Sequence, residues 1–173
     1  MRSFGIFALV IIMILGCLSC GRGETDIASL MLDICDACGG EYGKGILYLD
    51  RTRNTGNTVF SELSGKDLGF LYSGKREEPP CYERIEGYAV RLPLDGSGYE
   101  IHIIRCLSPS DTDEIEQMLL ARVERLQNAE ILQYAPEEYE LYFRGAEVMT
   151  RGRLVFLLAT PDNSAAKEAI RGY

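Results

Sequence analysis

The sequence has 173 residues, a formal net charge of −8, a hydrophobic fraction of 46% and a single histidine. That length fits about one domain once a leader is set aside, and the hydrophobic share is enough for one core. An acidic domain repels nucleic-acid phosphates and anionic lipid head groups, so neither is an expected partner. The lone histidine excludes most histidine metal sites, and it excludes Ser-His or Cys-His catalysis that does not use His102.

The chain opens with an unbroken apolar run, Phe4 to Cys20, which follows one positive charge at Arg2. A basic start, an apolar body and small residues before a cleavage point are typical of an export signal. The segment Ile14 to Cys17 resembles the lipobox of bacterial lipoproteins. The resemblance implies a signal peptide at residues 1–16, cleavage after it, and diacylglyceryl transfer to the thiol of Cys17.

Two alternatives to this interpretation remain open. Cys20 is a second lipidation candidate, although Cys17 stands three positions before it, where the motif has a branched apolar residue. An uncleaved anchor is also possible, because the charge-free stretch Ser3 to Gly21 just reaches the roughly 17–25 residues that span a bilayer. Both interpretations place the domain outside the cytoplasm, held to the cell membrane of a bacterium. We expect residues 17–24 to be a tether and residues 25–173 to be a single domain.

The first part of that domain carries two helix signals and one strand signal. Apolar residues recur at helical spacing between Thr25, a predicted N-cap, and the glycine pair Gly39-Gly40. Gly45 to Asp50 alternates as a strand does. Lys66 to Tyr72 is a short predicted helix that ends at Gly74.

The second half repeats one order of elements: a strand, a tight turn, a strand, a Ser/Thr-Pro pair and a helix. The turn of the first unit is Asp95 to Gly98, a strong hairpin signal. The segments of the first unit are Gly87–Leu94, Tyr99–Leu107, Ser108-Pro109 and a helix that begins at Asp111. Those of the second are Ala146–Thr150, Leu154–Ala159, Thr160-Pro161 and Asp162–Arg171.

Two such units predict an α+β fold. We expect an antiparallel sheet of about four strands with both helices on one face, and the N-terminal helix in addition. The segment Leu154 to Ala159 (LVFLLA) is apolar throughout, which is typical of a central strand covered by helices. Between the two units, Tyr134 to Tyr139 is predicted to be a turn.

Four segments in this half carry a resemblance to a known family: Glu100–Ile104, Ala121–Leu126, Tyr134–Leu141, and LVFLLAT after the Gly152 turn. Over residues 87–173 the chain resembles the family called domain of unknown function 4358, whose members are mostly small bacterial lipoproteins. The resemblance implies a fold for this core and a location at the cell envelope, and it brings no activity or catalytic residues. Residues 43–74 depart from the family pattern, chiefly in the polar turn at 51–57.

The sharpest candidate for chemistry is the CxxC pair Cys35 and Cys38, since thiol–disulfide catalysts use that spacing. Here the pair lies at the C-terminal end of a predicted helix, where the dipole disfavours a thiolate. A structural role, as core thiols or as a disulfide, is therefore favoured over a redox role. Zinc would need further ligands, and neither Cys81 nor Cys106 has a CxxC partner. If Cys20 is the acylated residue, four cysteines remain for two bridges.

Other candidates are weaker. The glycines around Lys44 are too closely spaced for a phosphate loop, and they precede a strand instead of a helix. His102 alternates with Ile101 and Ile103, so we expect it on the opposite face, either solvated or under a loop. Four acids at the start of a helix are explained by its dipole better than by calcium; they are Asp111, Asp113, Glu114 and Glu116. Three tyrosines either line a ligand groove or bury their rings with the hydroxyl solvated; they are Tyr134, Tyr139 and Tyr142.

The sequence thus predicts a membrane-anchored extracytoplasmic lipoprotein that acts as a non-enzymatic binding or accessory module at the cell envelope. Its expected partners are the membrane, through the anchor, and an envelope protein or a small ligand. No cofactor or metal is expected. The alternative is a thiol-redox lipoprotein that uses Cys35 and Cys38, and a third hypothesis is a sensory or assembly partner of a membrane complex.

Overall fold

The computed structural model describes residues 25–40, 45–49, 54–55, 58–59, 61–94, 98–128 and 137–173. The predicted signal peptide and tether, with Cys17 and Cys20, lie outside these ranges, as do Tyr134 and most of the Asp95–Gly98 turn. Among the described residues, every helix is too short or too polar to cross a lipid bilayer.

A five-stranded antiparallel sheet forms the centre of the fold. Its strands, in spatial order, are β1 (Gly45–Leu49), β4 (Ile85–Pro93), β5 (Glu100–Cys106), β7 (Leu154–Ala159) and β6 (Glu147–Arg151). The sequence prediction of an α+β fold with an antiparallel sheet is confirmed. The fifth strand is β1, which lies outside the two predicted units and pairs with β4, with Leu47 opposite Arg91. A separate two-stranded ladder joins β2 (Asn54–Thr55) to β3 (Thr58–Val59), inside and just after the predicted polar turn.

Helices cover both faces of the sheet in the described part of the chain. The helices are α1 (Ile27–Ala37), α2 (Gly65–Ser73), α3 (Thr112–Gln127), α4 (Glu137–Arg144) and α5 (Asn163–Arg171). Core residues of α1 and α5 pack on one face, and core residues of α2 and α3 pack on the other. Short 3-10 helices precede β4 (Tyr82–Arg84) and α3 (Pro109–Asp111). Residues 137–139, which we expect in a turn, begin α4 instead.

The prediction that both unit helices lie on one face is wrong: α3 and α5 are on opposite faces. The reason is visible in β7, all six residues of which are buried. Alternate side chains of a strand point to opposite faces, so Phe156 packs with α5 while Leu157 packs with α3. A strand that is apolar on both sides needs cover on both sides. The two units therefore share an order of elements but pack differently. If they were related by a two-fold axis normal to the sheet, both helices would lie on the same face.

Local capping explains where the helices begin and end. Asp26, one residue after the predicted N-cap Thr25, caps α1 by accepting a hydrogen bond from the Ala28 amide at 3.1 Å. A capping box with Ser64 begins α2, and Gly74 ends it in the left-handed conformation at φ 76°. The sequence prediction of this short helix is confirmed.

The middle of α2 lies directly against the backbone of the segment that follows it. A Cβ placed on Gly69 would be 1.4 Å from the carbonyl oxygen of Glu77 and 3.1 Å from that of Lys75. The absence of a side chain at Gly69 is what lets the chain turn back along its own helix. This close approach fixes the position of α2, whose Leu68 and Tyr72 side chains are buried on one face of the sheet.

We expect Gly69→Ala to destabilise the protein by about 1–3 kcal/mol, because the added methyl group forces the helix and the segment apart. Helix propensity alone would predict a gain of about 1 kcal/mol, so the sign of the change is diagnostic. The free energy of unfolding from urea denaturation measures it. Gly145→Ala is the matched control, because a Cβ there meets nothing nearer than 3.5 Å. A Gly69→Ala protein at least as stable as the parent would contradict the close packing.

Candidate functional site

The predicted thiol pair lies in the interior. Cys35 is in the last turn of α1 and Cys38 is its C-cap residue, and both are buried free thiols. Burial raises the pKa of Cys35 to about 11, and the nearby Arg91 charge offsets this only in part. Burial likewise raises the pKa of Cys38. Both thiols are therefore protonated near neutral pH, which is the opposite of what a thiol–disulfide catalyst requires.

The surroundings of the pair are those of a packed core. The side chain of Arg91 is fully buried, and its guanidinium carbon lies 3.6 Å from the centre of the Tyr99 ring. Tyr99 in turn donates a hydrogen bond from its hydroxyl to the Cys35 carbonyl at 3.4 Å. The Cys38 thiol donates to the carbonyl of Asp162 at 3.8 Å, next to the start of α5. The cysteines join α1 to the sheet and to α5.

The structure also places several of the other sequence candidates. Cys81 and Cys106 are buried free thiols on the face that α2 and α3 cover. Tyr142 is half-buried between the two core clusters. Within the part of the chain that the structure describes, no three His, Cys, Asp or Glu side chains are grouped so that they could hold a metal ion. Among the helix-start acids, Asp111 accepts from the Ser108 amide at 3.0 Å, Glu114 pairs with Arg84 at 2.9 Å, and Glu116 accepts from the Thr150 hydroxyl at 2.9 Å.

His102 is on the face opposite Ile101 and Ile103, as the alternation predicts, but it is neither solvated nor under a loop. It is fully buried in a network that sequence reasoning missed. Its Nε2 lies 2.5 Å from Oε1 of Glu100, and its Nδ1 lies 2.7 Å from the hydroxyl of Tyr72. The Arg122 guanidinium donates two hydrogen bonds to Glu100, from Nε to Oε1 at 2.5 Å and from Nη2 to Oε2 at 2.9 Å.

The protonation of this network follows from its geometry and burial. Burial by itself would raise the pKa of Glu100, but the charge of Arg122 and the contacts with His102 outweigh it and hold that pKa at about 2. Burial lowers the pKa of His102 more than Glu100 raises it, so the imidazole is neutral. Burial also raises the pKa of Tyr72, which keeps its proton. The consistent arrangement has Nε2–H donating to the carboxylate and the Tyr72 hydroxyl donating to Nδ1.

The network fixes three elements to one another instead of presenting a reactive group. Glu100 and His102 are two residues apart on β5 and so share one face, Tyr72 comes from α2, and Arg122 from α3. Arg122 also donates from Nη1 to the carbonyl of Leu71 at 2.7 Å. No buried polar side-chain atom of the described residues lacks a hydrogen-bond partner. A relay of Tyr, His and Glu with no exposed member has no place for a substrate.

An open cavity with a mixed polar and apolar lining lies at the other face of the sheet, where α1 begins and α5 ends. We call this cavity of about 860 Å³ the arginine cleft, because three arginines line it: Arg105 from β5, Arg151 from β6 and Arg153 from the turn before β7. The other lining residues are Thr25, Asp26, Gly152, Leu154, Phe156, Ile170, Gly172 and Tyr173. The cleft is not evident from the sequence, because its lining residues come from both ends of the domain.

The arginines of the cleft also make contacts to the protein. Arg105 donates from Nη2 to the carbonyl of Thr25, and Arg151 donates from Nη1 to the carbonyl of Ile170. Arg153 pairs with Glu86 at 2.7 Å, so much of its charge is balanced. The first two guanidiniums therefore hold main-chain carbonyls at the ends of α1 and α5.

Comparisons of the chain with protein-family models, curated proteins and solved structures found no match. The resemblance to domain of unknown function 4358 stays a prediction.

We expect Glu100→Gln to lower the free energy of unfolding by about 3–5 kcal/mol, since it leaves the Arg122 charge buried without its counter-ion. Urea denaturation at pH 7 measures the change. Glu168→Gln is the control, because Glu168 and its partner Arg171 are each 72% exposed, and exposed pairs contribute about 0–1 kcal/mol. A loss below 1 kcal/mol for Glu100→Gln would contradict the network.

The same carboxylate predicts an acid-sensitive fold. The folded pKa of Glu100, about 2, lies below its ordinary value of 4.5, so the group stabilises the fold above about pH 5 and loses that contribution as the pH falls toward 2. We expect about 3 kcal/mol of stability to disappear over this interval. Denaturation curves from pH 7 to pH 2 should show a smaller acid-dependent loss for Glu100→Gln than for the parent. Equal losses in the two proteins would show that other carboxylates control acid unfolding.

Proposed function

We propose that the protein is a lipid-anchored extracytoplasmic module that binds a ligand at the cell envelope and carries out no covalent chemistry. The observation that carries the proposal is the lipobox-like leader, Ile14 to Cys17, followed after a short tether by one α+β domain. An export signal that ends in an acylated cysteine would anchor the exported domain to the outer face of the membrane. Two or more acyl chains give a stable attachment, since each buried CH₂ contributes about 0.8 kcal/mol.

The interior of the domain supports binding over catalysis. The thiols of the CxxC pair, Cys35 and Cys38, are buried and protonated, and His102 is enclosed by Glu100 and Tyr72. The arginine cleft, by contrast, is a cavity in which a few charged groups lie beside apolar side chains, and ligand sites combine the two kinds of group in this way. A module of this kind needs only the cleft and the tether.

The tether keeps that cleft near the membrane. Thr25, the first described residue, lines the cleft. From Cys17 to Thr25 the chain advances eight residues, which span at most about 29 Å when fully extended. In this proposal the cleft operates within about that distance of the lipid surface.

Lipidation is tested in bacterial cells that express the full chain and are fed radioactive palmitate. We expect label on the parent and no label on the Cys17→Ala, Cys20→Ala double variant, because the acyl acceptor is gone. The single variants decide which cysteine is used, and the intact mass of the mature protein confirms the cleavage point. Cys106→Ala is the matched control, since it removes a cysteine of the folded domain and leaves the leader unchanged. Label on the double variant would refute the anchoring mechanism.

The redox alternative is tested through thiol reactivity. With a pKa of about 11, roughly one Cys35 in a thousand is a thiolate at pH 8, and burial shields it further. We expect iodoacetamide to label Cys35 and Cys38 slowly in the folded protein and rapidly in urea, as followed by peptide mass spectrometry. We also expect no insulin reduction in the presence of dithiothreitol above the rate of a Cys35→Ser, Cys38→Ser variant. Fast labelling in the folded state together with turnover would establish the redox function instead.

A further inference from the structure

We propose that a second copy of this chain pairs with the outer edge of β6, the side of the strand that faces away from β7. The two strands run antiparallel about a two-fold axis at Met149, so that two five-stranded sheets join into one. The inference goes beyond the proposed function, because it concerns neither the ligand nor the lipid anchor.

The two edges of the sheet differ in how the chain covers them. At the β1 edge, Ser61 donates its amide to the Leu47 carbonyl at 3.0 Å and accepts from the Leu49 amide at 2.8 Å, which closes that edge. Within the described ranges, no segment pairs with the outer edge of β6. The strand contains no proline, and no bulge interrupts its register with β7. An open edge of this kind is a template for another strand.

The pairing of the neighbouring strands determines which backbone groups of β6 point outward. An amide of β5 donates to the Arg153 carbonyl at 2.8 Å, so this carbonyl is directed toward β5. The Leu154 amide belongs to the same trans peptide and points the opposite way, toward Arg151 on β6. Hydrogen-bonding direction alternates along an antiparallel strand. The amides and carbonyls of Val148 and Thr150 are therefore directed away from the sheet.

The strand β6 carries opposite charges at equal distances from its central residue. Glu147 and Arg151 each lie two positions from Met149. An antiparallel pairing about Met149 places each Glu147 opposite Arg151 of the other copy. Opposite charges across a strand pair stabilise the pairing, whereas like charges destabilise it. This self-complementary pattern favours a second copy of the same strand over an unrelated partner.

The same centre also satisfies the outward backbone groups. Val148 of one copy lies opposite Thr150 of the other, and two residues in this position exchange two hydrogen bonds. The two Met149 side chains meet at the axis as the closer, non-hydrogen-bonded pair. A centre at Val148 or Thr150 would also obey the backbone directions, but it would place Glu147 or Arg151 opposite Met149. The charges therefore select the register.

Helix α3 is positioned to extend the contact on one face of the joined sheet. It lies across β6 and β7, where Glu116 accepts a hydrogen bond from the Thr150 hydroxyl at 2.9 Å. A two-fold axis normal to the sheet places both copies of α3 on the same face, about two strand spacings or roughly 10 Å apart, and helices pack at about 8–10 Å. Leu120 follows Glu116 by one turn and is 40% exposed. The second copy would cover this leucine.

Both charged residues have contacts within their own copy that the pairing can keep. Glu147 pairs with Lys167 at 2.9 Å, and Arg151 donates from Nη1 to the Ile170 carbonyl. A guanidinium carries five N–H donors and a carboxylate accepts about four hydrogen bonds, so each group can take a further partner. Glu147 and Arg151 would thus connect the copies without releasing α5.

The test is sedimentation equilibrium of the full chain in a density-matched non-ionic detergent, over a range of protein concentrations. We expect the parent to form dimers. Arg151→Glu and Glu147→Arg should each raise the dimer dissociation constant roughly tenfold or more, because each substitution puts like charges opposite one another. An equal mixture of the two variants should recover the dimer, since an acid again faces an arginine at both ends.

Lys66→Glu is the matched control, because it reverses an exposed charge on α2, whose Tyr72 contacts the central strand. It should leave the dissociation constant unchanged. The melting temperature of each variant separates loss of pairing from loss of fold.

A cysteine crosslink tests the register without changing a charge. Met149→Cys should form an interchain disulfide when copper phenanthroline oxidises the two facing thiols. Thr150→Cys should crosslink far more slowly, because it lies opposite Val148 and the two new thiols are too far apart for a disulfide.

A monomer at every concentration would overturn the proposal, as would a dimer that both charge reversals leave unchanged. A mixture of the reversed variants that dimerises no better than either alone would refute the register. Equal crosslinking of the two cysteine variants would refute it as well. Palmitate labelling does not depend on β6, so failure of the anchor and failure of the pairing are distinguishable.

Discussion

A carboxylate in the middle of a covered sheet is stable only with a cation beside it, and the bidentate pair of Glu100 and Arg122 meets that requirement. Glu100 is fully buried on the central strand, so desolvation works against its charge. Two hydrogen bonds from Arg122 replace the solvation that the carboxylate loses on burial. The position of α3 on the sheet is consequently set by a directional contact as well as by apolar packing.

The same pair organises the elements around it. Arg122 also donates to the Leu71 carbonyl near the end of α2, and the next residue, Tyr72, closes the network through His102. The position of α2 therefore depends on the ion pair, and Gly69 lets the returning chain hold α2 in place from the outside. Loss of either partner would leave a buried charge and also disconnect two helices from the sheet.

The network of Glu100 and His102 and the arginine cleft have opposite properties. In the network of Glu100 and His102 every buried polar side-chain atom has a hydrogen-bond partner inside the protein, so the network stabilises the fold. In the arginine cleft, Arg151 holds a neutral carbonyl, and its charge is directed into a cavity. The buried Glu100 and His102 side chains thus serve the fold, and under the proposed function the half-buried arginines serve binding.

The features that sequence reasoning predicted are the local ones. The β4–β5 pairing, the short helix that ends at Gly74, and the interior position of β7 all depend on turn residues and periodicity within a few residues. The other features of the fold and of the candidate site depend on pairing between residues that are distant in the sequence. The alternation of Glu100 and His102 shows that they share a face, and an acid there needs a cation. Nothing local, however, distinguishes Arg122 from Arg125 as the partner, and only the register β5-β7-β6 brings Arg105 and Arg151 together.

The hydrogen bond from Arg105 to the Thr25 carbonyl also has a mechanical consequence for an anchored protein. A tether pulls on the domain where it enters, and here that point is joined to β5, the central strand, instead of to an edge strand such as β1 or β6. Force delivered to the centre of a sheet is shared by the hydrogen bonds to strands on both sides of it. Under the proposed anchoring, drag on the domain would load β4 and β7 together, so that the sheet resists as one unit before any edge strand can peel away.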